Sequence, residues 1–125
     1  LDIDLFKSIN DSYGHQAGDD ILREVAGLIK KSCRESDTPA RYGGEEFAII
    51  LPATTRDGAA AMADKLRKKV SELRISGHDF AVTISLGISV LTPEGAYSPT
   101  ALIYDADSAL YRAKEEGKNR IVIAI

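Results

Sequence analysis

The sequence is poor in the residues and runs that mark several classes of protein. It contains one cysteine, Cys33, among 125 residues, which excludes an intramolecular disulfide framework and a cysteine-based zinc site. No apolar run approaches the roughly 20 residues needed to span a bilayer, so we expect no membrane contact from this domain. A net charge of −3 argues against binding of a nucleic acid polymer, which needs a cationic surface. This net charge does not exclude the binding of a small anion by a few suitably positioned Lys or Arg side chains.

The remaining composition is that of a folded domain. Hydrophobic residues make up 44% of the chain and charged residues 28%, a balance typical of globular rather than disordered proteins. A length of 125 residues predicts one domain that can bury a substantial core. The chain opens with Leu1-Asp2-Ile3-Asp4, the pattern of a strand interior, so we expect further residues to precede it in the natural protein.

Hydrophobic periodicity predicts five strands and three main helices. The strands are expected over residues 1–6, 40–42, 46–51, 80–90 and 120–125. Helices are expected from Asp19 or Asp20 onwards, over residues 57–73, and from Ser98 to a C-terminal cap at Gly117. The first helix should bury one face, whose apolar residues are Leu22, Val25, Ala26, Ile29 and Cys33. Residues 7–18 are rich in Asn, Asp, Ser and Gly and are expected to form turns.

This order of elements predicts an α+β fold. The elements follow one another as β-α-β-β-α-β-α-β, which contains the βαββαβ core of ferredoxin-like domains with an added helix and strand. We expect a central sheet, antiparallel or mixed, with helices packed on one face or both. Gly43-Gly44 is expected at the tip of a hairpin, because paired glycines supply the positive φ of a tight turn. The first strand and this hairpin should be neighbours in the sheet.

Carboxylates are concentrated at these two neighbouring places. Asp2 and Asp4 lie two residues apart on a predicted strand and should point the same way. Glu45 and Glu46 directly follow the glycine turn. Carboxylates from two adjacent strands could hold Mg²⁺ together with phosphate oxygens. The alternative is that acidic residues beside a turn are simply solvated.

The segment after the first strand is a second polar cluster. Asn10 and Asp19 could pair with a guanine edge, because an amide offers a donor and an acceptor and a carboxylate accepts from two N–H groups. The alternative is that the same side chains hydrogen-bond within a turn. His15 lies in this segment and, taken alone, is typical of a turn or packing histidine.

The joint order and spacing of these segments resemble the GGDEF domain family, which comprises the bacterial diguanylate cyclases. The resemblance covers essentially the whole chain. It rests on Asp2-Ile3-Asp4-Leu5-Phe6-Lys7, Ile9-Asn10-Asp11, Tyr13-Gly14-His15, Gly18-Asp19, Leu22, Arg41-Tyr42-Gly43-Gly44-Glu45-Glu46-Phe47, Ser85-Leu86-Gly87-Ile88, Ala106-Asp107-Ser108-Ala109-Leu110-Tyr111, Ala113-Lys114 and Gly117-Lys118-Asn119-Arg120. Glu45 in the third position of the signature makes it a GGEEF variant.

The resemblance implies a fold like that of a polymerase palm and the conversion of two GTP into cyclic di-GMP and two pyrophosphates. It implies Mg²⁺ as the cofactor, with Mn²⁺ as an alternative. By the same resemblance, Asp2 and Glu45 are metal ligands assisted by the Ile3 carbonyl, and Glu45 also activates the attacking 3′-hydroxyl. Glu46 is the second acidic residue of the signature and is implied to lie beside the metal.

The resemblance also implies which residues bind substrate. Asn10 and Asp19 would recognise guanine, and Gly43 and Gly44 would leave room for the nucleotide. Phosphates would be bound along Phe6 and Lys7 and by two further lysines, Lys114 and Lys118; His15 is included among the candidate substrate-binding residues. The family often has arginine where Lys118 stands, and lysine keeps the charge but loses the bidentate fork.

Regulation and assembly are further implications of the resemblance. One domain holds one GTP, so the active species is expected to be a two-fold homodimer. Arg34 and Asp37 match the family's RxxD product-inhibition site, and Lys65 lies about where some members supply a further cation. Taken alone, Arg34 and Asp37 are typical of a surface ion pair. We expect a cytoplasmic domain controlled by a sensory domain in the full-length chain, which can itself be anchored in a membrane.

One departure from the family pattern is the absence of its first helix and of the start of strand one, so residues 1–125 are expected to be a GGDEF domain lacking that segment. Two other interpretations remain. A non-catalytic GTP- or cyclic-di-GMP-binding regulatory module would usually have lost the acidic signature residues, which are present here. An unrelated ferredoxin-like interaction domain would require every motif match to be coincidence.

Overall fold

The computed structural model describes residues 1–75, 77–94 and 98–125. These ranges contain five strands and four helices. In chain order they are β1 (Asp2–Ile3), α1 (Phe6–Tyr13), α2 (His15–Ser32), β2 (Thr38–Gly43), β3 (Glu46–Ile50), α3 (Arg56–Ser71), β4 (Ile84–Ile88), α4 (Pro99–Glu115) and β5 (Ile121–Ile123). None of the helices in the described ranges has the length and apolar character to span a membrane.

The strands form one mixed sheet with β1 at its centre. Their order is β2-β3-β1-β4-β5. The contacts from β2 through β4 are antiparallel, whereas β5 lies parallel to β4. This arrangement confirms the predicted α+β class and βαββαβ core with an added helix and strand. The central place of β1 brings the β2–β3 hairpin to one side of Asp2 and β4 to the other.

The hydrophobic core lies between the sheet and the helices α2 and α3. The buried residues of α2 are Ala17, Gly18, Ile21, Val25 and Ile29. Four apolar residues of α3 complete this layer: Ala59, Ala63, Leu66 and Val70. The buried face of α2 is therefore rotated from the predicted one. Ala26 is exposed, and Leu22 and Cys33 are half-buried.

The largest error of the sequence prediction concerns residues 7–18. They form α1 and the start of α2 rather than turns, and α2 begins at His15 instead of Asp19 or Asp20. Ile9 is buried and Phe6 packs against the core, so burial overrides the turn preference of the polar residues between them. The single break between the two helices is Gly14, whose φ of 91° suits glycine.

Strands β1, β4 and β5 are shorter than predicted, whereas β2 extends beyond the predicted residues 40–42 at both ends. β1 stops after Ile3, and Leu5 takes the left-handed conformation with φ 56° immediately before α1. The predicted strand over residues 80–90 is paired only over Ile84–Ile88. Phe80 instead stacks on Tyr13, with ring centroids 4.3 Å apart. After β4, the Ser89 hydroxyl donates to the Leu102 carbonyl of α4 (2.7 Å), so the two flanks of β4 contact different helices.

Helix α4 has the predicted ends. The Ser98 side chain accepts a hydrogen bond from the Ala101 N–H, and Pro99 occupies the first turn. Gly117 follows the helix with φ 124°, which confirms it as the C-terminal glycine. The helix packs closely on β4 at Gly87, where a Cβ would overlap the backbone of Ala106 and Leu110.

Candidate active site

The β2–β3 hairpin carries two glutamates to the middle of the sheet. Gly44 has φ 44° and turns the chain, as predicted for the glycine pair. The Arg41 guanidinium donates to the Gly44 carbonyl (2.9 Å) and braces this turn. Glu46 is the register partner of Asp2 across β1 and β3, and the Ile3 N–H donates to the Glu45 carbonyl (3.2 Å). The structure therefore brings both signature glutamates beside the first strand.

The Asp2 carboxylate is buried and only half satisfied. Its Oδ2 is paired with the Lys114 Nζ at 2.8 Å. Among the described residues, its buried Oδ1 has no hydrogen-bond partner. Burial raises the pKa of Asp2, the ammonium of Lys114 opposes this rise, and the charge of Glu45 adds to it. A cation at Oδ1 would relieve both the missing contact and the repulsion from Glu45.

This donor set fits a magnesium ion whose other ligands come from a phosphate-bearing substrate. No group of three or more His, Cys, Asp and Glu side chains suited to a metal occurs in the described part of the chain. Proteins commonly bind Mg²⁺ through one or two carboxylates together with water and substrate phosphates. Asp2 and Glu45 are two such carboxylates, and the Ile3 carbonyl adjoins them.

Asp4 does not join this cluster, contrary to the expectation that it would point with Asp2 toward a metal. Its carboxylate accepts hydrogen bonds from Thr83 Oγ1 (2.8 Å), Ser85 Oγ (2.6 Å) and the Asn119 N–H (3.0 Å). Three donors from β4 and its surroundings thus engage both of its oxygens. The sequence prediction overlooked Thr83, Ser85 and Asn119. The sequence signal that could have identified Thr83 and Ser85 is their spacing of two residues along the predicted strand, the same spacing as that of Asp2 and Asp4.

The corner between α1 and α2 holds the two residues predicted to recognise guanine. Gly18, adjacent to Asp19, packs so closely on Asn10 that a Cβ would overlap its Oδ1. Within the described residues, this buried Oδ1 has no hydrogen-bond partner. Asp19 is exposed. Asn10 therefore has an acceptor without a partner, which is held against Gly18 in the interior of this corner.

A groove of about 520 Å³ runs from this corner along α2. Asp19 is at one end, and the opposite wall comes from the β2–β3 hairpin. Its lining residues are Asp19, Leu22, Arg23, Ala26, Ile29, Lys30, Pro39, Ala40, Arg41 and Phe47. Leu22 and Ala26, which were predicted to be core residues, face this groove. Leu22 also packs against the core, whereas Ala26 is exposed and contributes only to this concave surface.

The remaining predicted substrate residues are not all gathered at Asp2. Lys114 is paired with Asp2 as described, and Lys118 is half-buried in the turn after α4. Lys7 is exposed on the first turn of α1, and His15 is exposed at the start of α2. Phe6 packs against the core, which leaves its backbone for ligand contact. Of these five residues, only Lys114 therefore contacts Asp2 directly.

The candidate inhibitory residues form a separate cluster at the far end of β2. Arg34 pairs with Asp37 (3.1 Å) and also donates to the Pro52 carbonyl (3.0 Å) and to the Thr54 hydroxyl. Asp37 is buried, and its hydrogen bonds from Arg34 hold the pKa of this carboxyl below its usual range. Lys65 is exposed on α3. Because the six residues of β2 span about 20 Å, this cluster is well separated from the glycine turn.

Comparisons with known proteins identify the family of this chain. Residues 1–120 match the family described as "Diguanylate cyclase, GGDEF domain". Diguanylate cyclase A of Treponema denticola is 46% identical over 126 residues, covering 99% of this chain and 34% of that protein. Diguanylate cyclase DgcP of Pseudomonas aeruginosa is 41% identical, covering 99% of this chain and 18% of that protein. The chain thus spans about a third or less of the length of these relatives.

Solved structures give the same result. The active GGEEF domain of a diguanylate cyclase from Vibrio cholerae superimposes with a TM-score of 0.93 at 34% identity, covering 99% of this chain and 79% of that one. The GGDEF domain of DgcB from Caulobacter crescentus, in complex with c-di-GMP, gives 0.91 at 38% identity, covering 98% and 73%. With a sequence match over nearly all its residues and this agreement in fold, the chain belongs to the GGDEF domain family.

Proposed function

We propose that this domain is a diguanylate cyclase, which condenses two molecules of GTP into cyclic di-GMP and releases two pyrophosphates. The observation that carries this proposal is the half-satisfied Asp2 carboxylate beside the Glu45–Glu46 hairpin. Degenerate relatives that only bind nucleotide would not need these carboxylates. The relatives named as diguanylate cyclases and the active GGEEF domain of similar fold support the same activity.

Asp2, Glu45 and the Ile3 carbonyl would hold Mg²⁺ or Mn²⁺, with Glu46 adjacent. When bound, such an ion lowers the pKa of a hydroxyl and neutralises charge on a leaving group. In each bond-forming step a 3′-hydroxyl oxygen attacks the α-phosphorus of the opposite GTP, a P–O bond forms, and the bond to pyrophosphate breaks. Glu45, next to the attacking group, accepts the proton of that hydroxyl.

Three lysines would offset the charge of the triphosphate. Lys114 has three N–H donors, and its contact with Asp2 uses one of them. The others remain for the β- and γ-phosphates. Lys118 contributes a second ammonium from the turn after α4, and Lys7 a third beside the backbone of Phe6. Placed cations of this kind stabilise the charge that develops on pyrophosphate as it leaves.

Guanine recognition would fall to Asn10 and Asp19. The side-chain amide of Asn10 would offer the guanine edge both a donor and an acceptor. The Asp19 carboxylate accepts from N1–H and N2–H. Adenine has no hydrogen on N1 and presents a donor where guanine O6 accepts. A site built for these hydrogen bonds therefore discriminates strongly against adenine, since the wrong base leaves polar groups unpaired.

Product formation needs two domains that face each other, because each holds one GTP. The active species would be a two-fold homodimer with both nucleotides at its centre. Cyclic di-GMP would also bind at Arg34 and Asp37, with Lys65 nearby, and inhibit the enzyme. The distance from the hairpin means that product bound there acts by holding two domains apart rather than by displacing GTP.

The test is incubation with GTP and Mg²⁺, followed by chromatography of the nucleotides. The wild-type domain should form cyclic di-GMP, and Glu45→Gln should abolish its formation because the metal-binding charge and the proton acceptor are both lost. Glu72→Gln is the matched control, since Glu72 is exposed at the end of α3. Circular dichroism should show that Glu45→Gln is folded.

Two results would contradict the proposal. A folded Glu45→Gln protein with full activity would remove the hairpin carboxylate from the mechanism. A wild-type protein that binds GTP with Mg²⁺ but forms no product, even at concentrations that favour dimers, would be a nucleotide-binding module instead.

A further inference from the structure

The turn after α4 has an unusual backbone. Three consecutive residues have positive φ: Gly117 at 124°, Lys118 at 64° and Asn119 at 48°. The first is a glycine and tolerates this conformation, and asparagine adopts it more readily than most residues, but the Cβ of Lys118 disfavours it. Two adjacent left-handed residues of this kind persist only where the surrounding structure holds them. The hydrogen bonds around this turn therefore fix the position of the Lys118 backbone.

One end of the turn is held by the helix that precedes it. The Lys118 N–H donates to the Ala113 carbonyl (3.0 Å), and the Gly117 N–H donates to that of Lys114 (3.4 Å). These bonds are the usual C-terminal helix cap and require positive φ at Gly117 alone. They do not account for the left-handed conformation of Lys118 and Asn119, so a second support is needed.

Three further contacts hold the rest of the turn: Arg120 Nε donates to the Lys118 carbonyl (3.1 Å), Arg67 donates to Asn119 Oδ1 (3.0 Å), and Asp4 accepts the Asn119 N–H. Of these three partners only Asp4 is buried. Its Oδ2 accepts the Asn119 N–H at 3.0 Å, and the same carboxylate is fixed by the hydroxyls of Thr83 and Ser85. Asp4 is only 3% exposed. A buried carboxylate with three donors has little freedom to move, because each donor restricts it and solvent cannot replace them. Asp4, directly after β1, is thus a fixed point to which the backbone next to Lys118 is attached.

Asp2 and Asp4 are each linked to one of two lysines, but in different ways. Asp2 pairs directly with the side chain of Lys114, whereas Asp4 binds the backbone beside Lys118. Asp2, in β1, and Asp4, just after it, therefore hold one lysine by its side chain and the backbone beside a second lysine. We propose that Asp4 is a positioning residue for the triphosphate, which acts by holding the left-handed turn that presents Lys118. This inference rests on the proposed function, in which Lys118 binds phosphate.

The inference predicts that Asp4 and Lys118 are energetically coupled. Without Asp4, Lys118 and Asn119 are free to return to negative φ, and the ammonium moves away from the phosphates. Loss of a charge-assisted hydrogen bond lowers affinity by about tenfold or more. Asp4→Ala and Lys118→Ala should each weaken triphosphate binding by about this factor. The double variant should be no weaker than either single variant, because the same contact is lost only once.

The experiment measures the affinity of the four proteins by calorimetry. The probe is the α,β-methylene analogue of GTP with Mg²⁺, which cannot release pyrophosphate, and guanosine monophosphate is the reference ligand. The monophosphate should bind all four proteins equally, because it does not reach Lys118. A structural collapse of the site would weaken both ligands. Asp4→Asn should retain most of the affinity, because its amide oxygen can still accept the Asn119 N–H.

A second pair of variants leaves the buried Asp4 unchanged. Asn119→Ala and Asn119→Gly both lose the hydrogen bond between Asn119 Oδ1 and Arg67 (3.0 Å), but only glycine adopts positive φ without strain. The alanine variant should bind the triphosphate analogue several-fold more weakly than the glycine variant. Equal affinities of these two variants would overturn the inference.

The outcomes separate this inference from the proposed function. If the effects of Asp4→Ala and Lys118→Ala multiply in the double variant, Asp4 acts independently of Lys118 and the inference is wrong while the cyclase proposal stands. If Lys118→Ala alone leaves the affinity for the analogue unchanged, Lys118 is not a phosphate ligand. In that case the assignment within the proposed function fails, and this inference fails with it.

Discussion

At the scale of single residues, a missing Cβ determines the position of the Asn10 amide, which we propose recognises guanine. Gly18 of α2 packs against Asn10 so closely that a Cβ would overlap Oδ1 and lie 3.2 Å from the Phe6 ring. Neither of these two side chains can easily move aside, since Phe6 packs against the core and Asn10 is half-buried. The conformation of Asn10 therefore depends on the absence of a side chain at position 18.

Gly18→Ala should accordingly reduce the preference for GTP over ATP, because the displaced Asn10 no longer meets the guanine edge. Direct titration with both nucleotides in the presence of Mg²⁺ measures the ratio of affinities, which we expect to fall by about tenfold or more. Gly27→Ala on the same helix is the control, since a Cβ there meets nothing within 4 Å. An unchanged ratio in Gly18→Ala would refute the role of Asn10.

The aspartates of the first strand show what residue patterns can and cannot predict. Strand alternation predicts that Asp2 and Asp4 point together toward a metal, which is wrong for Asp4. The expected pairing of the first strand with the hairpin is confirmed, because Asp2 is the register partner of Glu46. The partners of Asp4 could not be predicted, because Thr83, Ser85 and Asn119 meet it only after residues about 80 to 115 positions away have folded onto β1. Short-range periodicity carries no information on such contacts.

At the scale of elements, the type of each strong periodic segment was predictable and the polar segment 7–18 was not. Asn, Asp, Ser and Gly favour turns in isolation, yet a helix forms here because Phe6 and Ile9 contribute to the core. The hairpin and the ends of α4 were predictable, since glycines and a capping serine impose their geometry locally. Tertiary burial decides the structure where local signals are weak.

The contact between α4 and β4 permits a test at this scale. A Cβ on Gly87 would overlap the Ala106 carbonyl and the Leu110 N–H, which are backbone atoms that no rotamer change can move. Gly87→Ala should therefore lower the free energy of unfolding, by about 1–3 kcal/mol as is typical of overpacking. Urea denaturation measures the change. Gly27→Ala again serves as the control and should be neutral or slightly stabilising. An unchanged urea midpoint for Gly87→Ala would contradict this packing.

At the scale of the whole molecule, the fold separates two places where guanine nucleotides are proposed to bind. The carboxylates of β1 and the hairpin lie at one end of β2. Arg34 and Asp37 lie at the other, about 20 Å away for a strand of six residues. A ligand of the size of cyclic di-GMP cannot contact both ends at once within one domain. Inhibition from the Arg34 end must therefore work through the arrangement of two domains.

Such inhibition requires cyclic di-GMP to bind the unproductive arrangement more tightly than the productive one, since equal affinity for both would shift nothing. Arg34→Ala should weaken product binding, because the guanidinium that contacts phosphate is lost. Its initial rate should stay close to that of the wild type, and synthesis should continue as product accumulates. Progress curves with cyclic di-GMP added at the start measure this, and Arg74→Ala controls for the loss of one exposed positive charge. If wild type and Arg34→Ala slow equally, Arg34 and Asp37 are an ordinary ion pair and the regulatory proposal is wrong, while the catalytic one stands.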